Sequence, residues 1–171
     1  MKVLTVVRHA KSSWKNPVLR DFDRPLNKRG KKDAKLFSQY IAESQAAPDR
    51  IVSSPAKRAI VAAEHFKEAF KMQDDHLIEE QIFYFEGRQA ITERIASFDD
   101  AWNNVFIFGH NPDWHDLVEH YTGKPIAQFP TLALASISFE VNSWSDLTDK
   151  IGNLDLFLVP KMMSWHQKSE N

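Results

Sequence analysis

The stretch Lys2-Val3-Leu4-Thr5-Val6-Val7-Arg8-His9 (KVLTVVRH) decides the fold class of this 171-residue chain. Residues 2–7 form a short, nearly continuous apolar run rich in β-branched side chains, a pattern typical of a strand buried on both faces. The run stops at two polar residues, Arg8 and His9, so the chain is expected to leave the sheet there. A strand of this kind predicts a parallel sheet that helices cover on both sides.

Outward from this stretch, strand patterns alternate with helical patterns. Asn27 predicts the cap of a helix that extends to about Ser44, with Phe37, Tyr40 and Ile41 on its inner face. The other predicted elements are strands at 51–52, 105–108, 137–141 (with one wet face) and 154–159, helices after Pro55, around 91–98 and around 114–121, and a loop with some extended structure at 76–86.

These patterns predict a single α/β domain over residues 1–171. The expected architecture is a three-layer sandwich with a mostly parallel central sheet and helices on both of its faces. The core is expected within residues 2–160, and the tail at 161–171 is expected to be frayed. The chain contains no repeat, low-complexity tract or linker that would divide it.

Composition narrows the function classes. The net charge of −1 gives no general attraction to nucleic acid or to an anionic membrane. Any bound anion must therefore be held by a local cluster of positive groups. The absence of cysteine excludes disulfides, thiol nucleophiles and cysteine metal ligands. The first apolar run is too short for a signal peptide or a membrane span, so we expect a cytoplasmic protein without nucleic-acid or membrane partners.

Basic and imidazole side chains come immediately after three of the buried strands. Arg8 and His9 follow the first strand, Arg58 lies at the start of the helix after the second, and His110 follows the third. Ligands of open α/β sheets bind beyond the carboxyl ends of the strands, and the helix that begins near Pro55 directs its positive dipole end there. Two arginines and two histidines, with no carboxylate forced among them, suit a multiply charged anion such as phosphate.

The histidines do not follow a metal-binding pattern. His110, His115 and His120 are five residues apart, so on a helix successive side chains are turned by about 140° and do not share a face. A zinc-binding helix uses a spacing of four. We therefore expect no metal or other cofactor. The histidines expected to be structural or solvent-facing are His65, His76, His115, His120 and His166.

Four motifs occur along the chain in one order: VVRHAKSSW (6–14), DRPLNKRG (23–30), SSPAKRA (53–59) and GHNP (109–112). Together they resemble the histidine phosphatase superfamily over about residues 3–115, and within it the short SixA-type phosphohistidine phosphatases. The family signature is usually Arg-His-Gly, and Ala10 in the third position is a departure that SixA-like members often share. The resemblance implies a phosphoglycerate mutase-like fold and a phosphatase that works without a metal.

By this resemblance, His9 is the nucleophile, Arg8, Arg58 and His110 bind the phosphoryl oxygens, and Arg24 lines the mouth of the pocket. The nucleophile must present a free lone pair at neutral pH. Cationic neighbours lower the pKa of an imidazole from ~6.5, so Arg8 and Arg58 are expected to keep His9 neutral. Its other ring nitrogen is expected to donate to a backbone carbonyl, which would fix the tautomer. In-line attack then forms a phosphohistidine that water hydrolyses.

The leaving group decides the substrate class. An alkoxide needs a proton from a general acid, whereas an imidazole, with a conjugate-acid pKa of ~7, tolerates a weak one. No carboxylate stands out as that acid, and ordinary surface charge is the favoured interpretation of each candidate. This favours phosphohistidine on a protein partner as the substrate. The candidate acids are Asp21, Asp23, Glu79, Glu80 and Glu86.

Two alternatives stay open at this point. A phosphatase for small phosphate esters or anhydrides would need one of those carboxylates to reach the leaving oxygen. A non-catalytic module could bind a phosphorylated ligand in the same pocket, although the complete set of a nucleophile and three anion-binding side chains disfavours it. A mutase is weaker still, because the insertions that enclose a small sugar acid are missing. Trp14 and Trp114 can border the pocket or belong to the core, and the sequence leaves the oligomeric state open.

Overall fold

The computed structural model describes residues 1–167, and every element named below belongs to this part of the chain. The strands are β1 (Lys2–Arg8), β2 (Arg50–Ser53), β3 (Leu77–Glu79), β4 (Asn104–Gly109), β5 (Leu134–Phe139) and β6 (Asn153–Leu158). The α-helices are α1 (Lys28–Ser44), α2 (Lys57–Ala69), α3 (Arg88–Ala96), α4 (Asp113–Thr122) and α5 (Ser164–Gln167). Single 3-10 turns lie at Asp21–Asp23, Asp74–His76, Gln81–Phe83, Trp144–Leu147 and Pro160–Met162.

The strands form one sheet in the order β3-β2-β4-β1-β5-β6. The first four are parallel neighbours, and β5 runs antiparallel between β1 and β6. The sheet is therefore mixed and mostly parallel, as the sequence predicts. The register sets Arg8 opposite Gly109 and Ser53 opposite Phe108. As a result, the carboxyl ends of β1, β4 and β2 lie side by side at one edge of the sheet.

Helices cover both faces of the sheet, which confirms the predicted three-layer sandwich. On one face, Phe37 of α1 and Phe66 of α2 belong to one buried apolar cluster. On the other face, Ile95 of α3 and Trp114 of α4 belong to a second cluster. Of the helices within residues 1–167, none combines the length and the apolar character needed to cross a membrane.

Helix α1 begins and ends where the sequence predicts. The side chain of Asn27 accepts a hydrogen bond from the backbone N–H of Gly30 at 2.7 Å, and the helix ends at Ser44. Tyr40 does not lie on the inner face as predicted, since 41% of it is exposed while Ile41 is fully buried. Each residue turns a helix by about 100°, which places Tyr40 at the boundary of the buried stripe.

The strand predicted at 137–141 is β5, which lies earlier in the chain at Leu134–Phe139. Its second half shows the predicted alternation, since Ile137 and Phe139 are buried, Ser138 is half-buried and the following Glu140 is exposed. The first half has no wet face. Ser136 is buried there, and the Thr5 hydroxyl donates to its Oγ at 3.1 Å.

The prediction of a frayed tail over 161–171 is wrong for residues 161–167. A 3-10 turn leads into α5, and Met163, 6% exposed, joins the apolar cluster formed with α1 and α2. Nε2 of His166 lies 2.9 Å from Oδ1 of Asp33 in α1. These apolar and polar contacts hold the segment on the helical layer. Residues 168–171 lie outside the described residues.

Gly109, the last residue of β4, packs directly against the indole of Trp114. A Cβ at this position would overlap three carbon atoms of the ring, and Trp114 is fully buried. Gly109→Ala is expected to lower the free energy of unfolding by about 1–3 kcal/mol through overpacking. The melting temperature should fall by about 2–4 °C for each kcal/mol, which a thermal unfolding curve measures.

A second substitution checks the cause of this loss. Trp114→Phe shrinks the ring that the new methyl group would strike, so the double variant should lose less stability than the two single losses added together. Strictly additive losses would show that the clash with Trp114 is not the reason.

Candidate active site

His9 is fixed in one tautomer at the carboxyl end of β1. Its backbone N–H donates to the Gly109 carbonyl at 3.0 Å, which continues the ladder between β1 and β4 beyond Arg8. Its ring Nδ1 lies 2.7 Å from the carbonyl oxygen of Ala10. Because a carbonyl only accepts, Nδ1 must carry the proton, and Nε2 keeps its lone pair. This contact is the backbone carbonyl contact expected from the sequence.

His9 is neutral at physiological pH. Burial is the main reason that its pKa falls to about 3, and the hydrogen bond to Ala10 opposes that fall in part. The charges of Arg8, Arg58 and Arg24 lower the pKa further. The direction agrees with the expectation from the sequence, but the arginines are not the main cause. Desolvation of the ring is the larger effect.

Two arginines flank this imidazole from neighbouring elements. Arg8 is the last residue of β1, and its Nη1 donates to the Phe129 carbonyl at 3.1 Å. Arg58 is the second residue of α2 and is 3% exposed. Its Nη1 donates to the Asp21 carbonyl at 2.7 Å and its Nη2 donates to Asp21 Oδ2 at 2.9 Å. Each guanidinium group is therefore held through its terminal nitrogens, Nη1 in Arg8 and both Nη1 and Nη2 in Arg58.

His110 follows β4 and faces His9, with 5.2 Å between the ring centroids. Its Nε2 lies 2.8 Å from the Ser54 hydroxyl, whose oxygen also accepts from the backbone N–H of Ala56 at 3.3 Å. Since that oxygen already accepts a hydrogen bond, we assign the hydroxyl as donor to Nε2, which places the ring proton on Nδ1. Burial is the main reason that the pKa of His110 falls to about 2, followed by repulsion from a protonated His9 and from Arg58. The ring of His110 is therefore neutral at physiological pH.

Unpaired buried polar atoms are concentrated at this cluster. Nε of Arg8, Nε of Arg58, Nδ1 of His110 and Oδ1 of Asn111 have no hydrogen-bond partner within residues 1–167. They are half of the eight such atoms in that part of the chain. Buried polar groups are normally paired, so three unpaired donors close to His9 indicate a site for an acceptor-rich anion. The tetrahedral oxygens of a phosphoryl group match this set of donors.

Asp21 belongs to the cluster, which corrects two expectations: that no carboxylate enters it, and that Asp21 is ordinary surface charge. Its Oδ1 accepts from Arg24 Nη1 at 2.9 Å. Its Oδ2 accepts from Arg58 Nη2 at 2.9 Å and from the Tyr84 hydroxyl at 2.8 Å. The loop that follows β1 folds back at the 3-10 turn of residues 21–23, and this fold-back carries the carboxylate to the start of α2.

The Asp21 carboxylate is ionised at neutral pH. Burial raises its pKa, but the hydrogen bonds from Tyr84, Arg24 and Arg58 outweigh burial and lower the pKa to about 2. An ionised carboxylate accepts hydrogen bonds and has no proton to give. In this state Asp21 orients two arginines and is not poised as a general acid.

The other four candidate acids either pair with an arginine or are exposed. Asp23 forms an exposed ion pair with Arg20 at 2.8 Å. Glu80 pairs with an arginine of α3 at 2.5 Å and caps the 3-10 turn that follows it. Glu79 and Glu86 have exposed side chains. The interpretation as surface or structural charge therefore fits these four residues.

The two tryptophans have different places. Trp114 is fully buried in the core beneath β4. Trp14 is 76% exposed, and the guanidinium of Arg24 lies 3.2 Å from the centre of its ring. Arg24 itself is 7% exposed and also hydrogen-bonds to the Ser12 hydroxyl. Arg24 thus lies between the exposed Trp14 and the Asp21 carboxylate, the position expected for a residue at the mouth of the pocket.

Sequence reasoning missed two aromatic residues at the site. The rings of Tyr84 and Phe85 lie 5.4 and 4.9 Å from the ring of His110. Phe85 has φ of +61° and is 46% exposed. The sequence signal was a pair of adjacent aromatic residues inside a predicted loop, where the core does not require them. A non-glycine residue with left-handed φ is strained, and such strain is common at functional sites.

The remaining histidines of α4 lie away from this cluster. His115 pairs with Glu119 at 3.2 Å, and Nε2 of His120 lies 3.2 Å from the Thr148 carbonyl. Over residues 1–167, no group of three or more His, Cys, Asp or Glu side chains is arranged to hold a metal ion.

Comparison with known proteins places this geometry in a family. The sequence matches the model of the histidine phosphatase superfamily (branch 1) over residues 4–114, well over half of the chain. The chain belongs to the histidine phosphatase superfamily. The match spans the segments that contribute Arg8, His9, Arg58 and His110, and it makes the protein a histidine-dependent phosphatase with the phosphoglycerate mutase-like fold.

Similar proteins carry related descriptions. A structure assigned to the phosphohistidine phosphatase SixA of Agrobacterium tumefaciens is 28% identical, with a TM-score of 0.79 over 93% of this chain and 98% of that one. An uncharacterised chloroplast protein of Arabidopsis thaliana is 28% identical over 155 residues, which are 84% of this chain and 69% of that protein. Phosphoserine phosphatase 1 of Hydrogenobacter thermophilus is 41% identical over 85 residues, which are 46% of this chain and 39% of that protein.

The imidazoles of His9 and His110 are expected to stay neutral far below the usual histidine pKa. With pKa values of about 3 and about 2, both rings are neutral at about pH 5, where an ordinary histidine of pKa ~6.5 is almost fully protonated. Long-range 1H–15N NMR of histidine-labelled protein measures this, with His9→Gln and His110→Gln assigning the signals. Both rings take up protons on unfolding, so the free energy of unfolding should also fall below about pH 6.5. Protonation of either folded ring near pH 6.5 would contradict the assignment.

The Ser54 hydroxyl is expected to act as a positioning group. Without it, His110 can move its proton to Nε2, so Ser54→Ala should lower kcat/KM by about tenfold through loss of the Nδ1–H donor. The same NMR spectra should show a shift of the His110 tautomer, a change that a purely structural role would not cause. Ser53→Ala removes a neighbouring buried hydroxyl that donates to the Ser54 carbonyl and serves as the matched control. Equal losses in the two variants would remove Ser54 from this role.

Proposed function

We propose that this phosphatase transfers a phosphoryl group to Nε2 of His9, and that its substrate is phosphohistidine on a protein partner. The contact between His9 Nδ1 and the Ala10 carbonyl carries the proposal, because it leaves a neutral ring with its lone pair on Nε2. The unpaired donors of Arg8, Arg58 and His110 belong to side chains close to the ring of His9, and they suit the oxygens of the transferred group.

The reaction proceeds in two displacements. Nε2 of His9 bonds to phosphorus while the bond from phosphorus to the substrate nitrogen breaks. The electron pair stays on that nitrogen, and because the other nitrogen of the substrate ring carries a proton, the ring departs as neutral imidazole. Arg8, Arg58 and His110 stabilise the charge on the equatorial oxygens, and two guanidinium groups supply the positive charge without a metal. Water then attacks the phosphohistidine at His9, which releases inorganic phosphate and restores the free ring.

The state of Asp21 supports a nitrogen leaving group. Its pKa of about 2 leaves no proton on the carboxylate nearest to Arg58. An alkoxide cannot depart readily without a proton donor. A phosphohistidine ring that is protonated on its other nitrogen departs as neutral imidazole, whose conjugate acid has a pKa of ~7, and needs no further proton from the enzyme. Similarity to a protein described as a phosphohistidine phosphatase points in the same direction.

A second candidate is a phosphatase for small phosphate esters. The place of Asp21 favours it, because a phosphate dianion bound beside this carboxylate would raise its pKa toward the range of a proton donor. A relative described as a phosphoserine phosphatase matches nearly half of the chain and is consistent with this candidate.

The first test compares substrates. We expect kcat/KM for a phosphohistidine peptide to exceed that for phosphoserine by at least about tenfold, because only the imidazole leaves without a general acid. His9→Ala should abolish turnover of both substrates and serves as the blank. Equal or faster turnover of phosphoserine would favour the small-ester candidate, and activity retained in His9→Ala would remove His9 as the nucleophile.

Asp21→Asn separates the two roles of this carboxylate. If Asp21 only orients the arginines, kcat/KM should fall by the same factor for p-nitrophenyl phosphate, which leaves easily, and for phosphoserine, which does not. A loss confined to phosphoserine would identify Asp21 as the general acid and favour the ester substrate. Asp23→Asn is the matched control, because Asp23 lies in the same 3-10 turn but pairs with the exposed Arg20.

A further inference from the structure

Exposed apolar side chains are concentrated in two segments that contact the catalytic cluster. Eight large hydrophobic residues are exposed over residues 1–167, and four of them belong to the loop after β1 or to the segment against His110. We name these four the apolar rim: Trp14, Val18, Leu19 and Phe85, with exposures of 76, 88, 39 and 46%. Single exposed apolar residues are ordinary, whereas a contiguous group usually marks an interaction site.

Contacts join two members of the rim, Trp14 and Phe85, to the catalytic cluster, and Val18 and Leu19 precede Asp21 by three and two residues in the chain. On one side, Trp14 stacks on Arg24, which pairs with the carboxylate of Asp21. On the other side, the ring of Phe85 lies 4.9 Å from the ring of His110 at an interplanar angle of 32°. Phe22 and Tyr84 pack edge to face at 5.1 Å, so the loop after β1 touches the segment that carries Phe85.

Hydrogen bonds donated by backbone N–H groups hold the turn that carries Val18 and Leu19. The side chain of Asn16 accepts a hydrogen bond from the Val18 N–H at 3.1 Å, and its carbonyl accepts from the Leu19 N–H at 3.4 Å. This turn points two apolar residues to solvent just before Asp21. Phe85 is held outward by its left-handed backbone, with φ of +61°. Two separate segments therefore keep apolar side chains exposed at the same opening.

The side chains of the catalytic cluster are almost entirely buried: His9, Arg58 and His110 are 8, 3 and 1% exposed. A substrate that delivers its phosphoryl group to them leaves the rest of its bulk at the surface, where the neighbouring segments expose the apolar rim. A small phosphorylated sugar or amino acid is polar throughout and gains nothing from four apolar contacts. A protein that presents its phosphorylated residue from an apolar patch gains the burial of those side chains.

We propose that the apolar rim is the docking surface for the protein substrate, and that it selects a phosphohistidine flanked by apolar side chains. This inference rests on the proposed function, because the occupant is the partner whose phosphoryl group passes to His9. The rim adds specificity that the buried cluster cannot provide, since the cluster contacts only the phosphoryl group.

Three substrates with the same phosphorus–nitrogen bond test the proposal: free phosphohistidine, a peptide with phosphohistidine flanked by leucines, and the same peptide with serines in place of the leucines. The wild-type protein should turn over the leucine peptide with kcat/KM about tenfold above the serine peptide. In the double variant Val18→Asp/Leu19→Asp this ratio should fall toward one. Phe85→Ser should lower it in the same direction.

Ile151→Asp provides the matched control. Ile151 is also a β-branched residue and is 62% exposed, but it precedes β6 at the opposite edge of the sheet. This variant should keep the wild-type ratio. Thermal unfolding of the variants checks that the substitutions at exposed positions leave the fold intact.

The outcomes distinguish failure of the docking surface from failure of the proposed phosphohistidine phosphatase function. A wild-type ratio near one, or an unchanged ratio in Val18→Asp/Leu19→Asp, would overturn the docking surface while free phosphohistidine hydrolysis left the proposed function standing. A ratio lowered equally by Ile151→Asp would assign the effect to net charge and would also overturn it. Failure to hydrolyse any of the three substrates would overturn the docking surface and the proposed function together.

Discussion

The parallel register of β2, β4 and β1 is the constraint on which the site depends. It sets Arg8 beside Gly109 and Ser53 beside Phe108, and the hydrogen-bond ladder then continues one residue further. The N–H of His9 donates to the Gly109 carbonyl, and the N–H of Ser54 donates to the Phe108 carbonyl. Backbone hydrogen bonds of the sheet thereby position His9, and also Ser54, whose hydroxyl contacts His110. Gly109 packs closely on Trp114 at the end of β4, and this contact fixes the position at which His110 follows the strand.

Burial gives this edge of the sheet its chemistry. Removing an imidazole from water disfavours its charged form, which is why the ring of His9 stays neutral among arginines. The same burial makes unpaired guanidinium charge costly, and Asp21 offsets part of that cost by accepting from Arg58 and Arg24. The protonation states of these groups are therefore coupled. The cluster contains one carboxylate, two neutral imidazoles and three guanidinium groups. A shift in any member changes the others.

Local patterns in the sequence predicted most of the frame, and long-range contacts account for what they missed. Strand runs, the Asn27 cap and basic residues after strands were recognisable because each depends on neighbours in the chain. Asp21 was misjudged because its partner Arg58 is 37 residues away and the intervening loop has no periodicity. Phe85 was not expected at the site because its partner there, His110, is also distant in the chain. The segment 161–167 is ordered by Met163 packing on distant helices, a contact that composition near the terminus does not reveal.

Asp21 also constrains how substrate can enter. Both terminal nitrogens of Arg58 already donate to this residue, and Nε is the donor left unpaired. A phosphoryl group can therefore bind Arg58 through Nε without displacing Asp21, or can take Nη2 from the carboxylate. The first mode leaves Asp21 ionised, and only a leaving group that needs no proton can then depart. The second mode frees the Asp21 carboxylate beside a phosphate dianion, and the negative charge of the dianion raises the pKa of that carboxylate. If the proposed function holds, the leaving-group preference of this phosphatase would be set by the competition between Asp21 and the substrate for one edge of the Arg58 guanidinium.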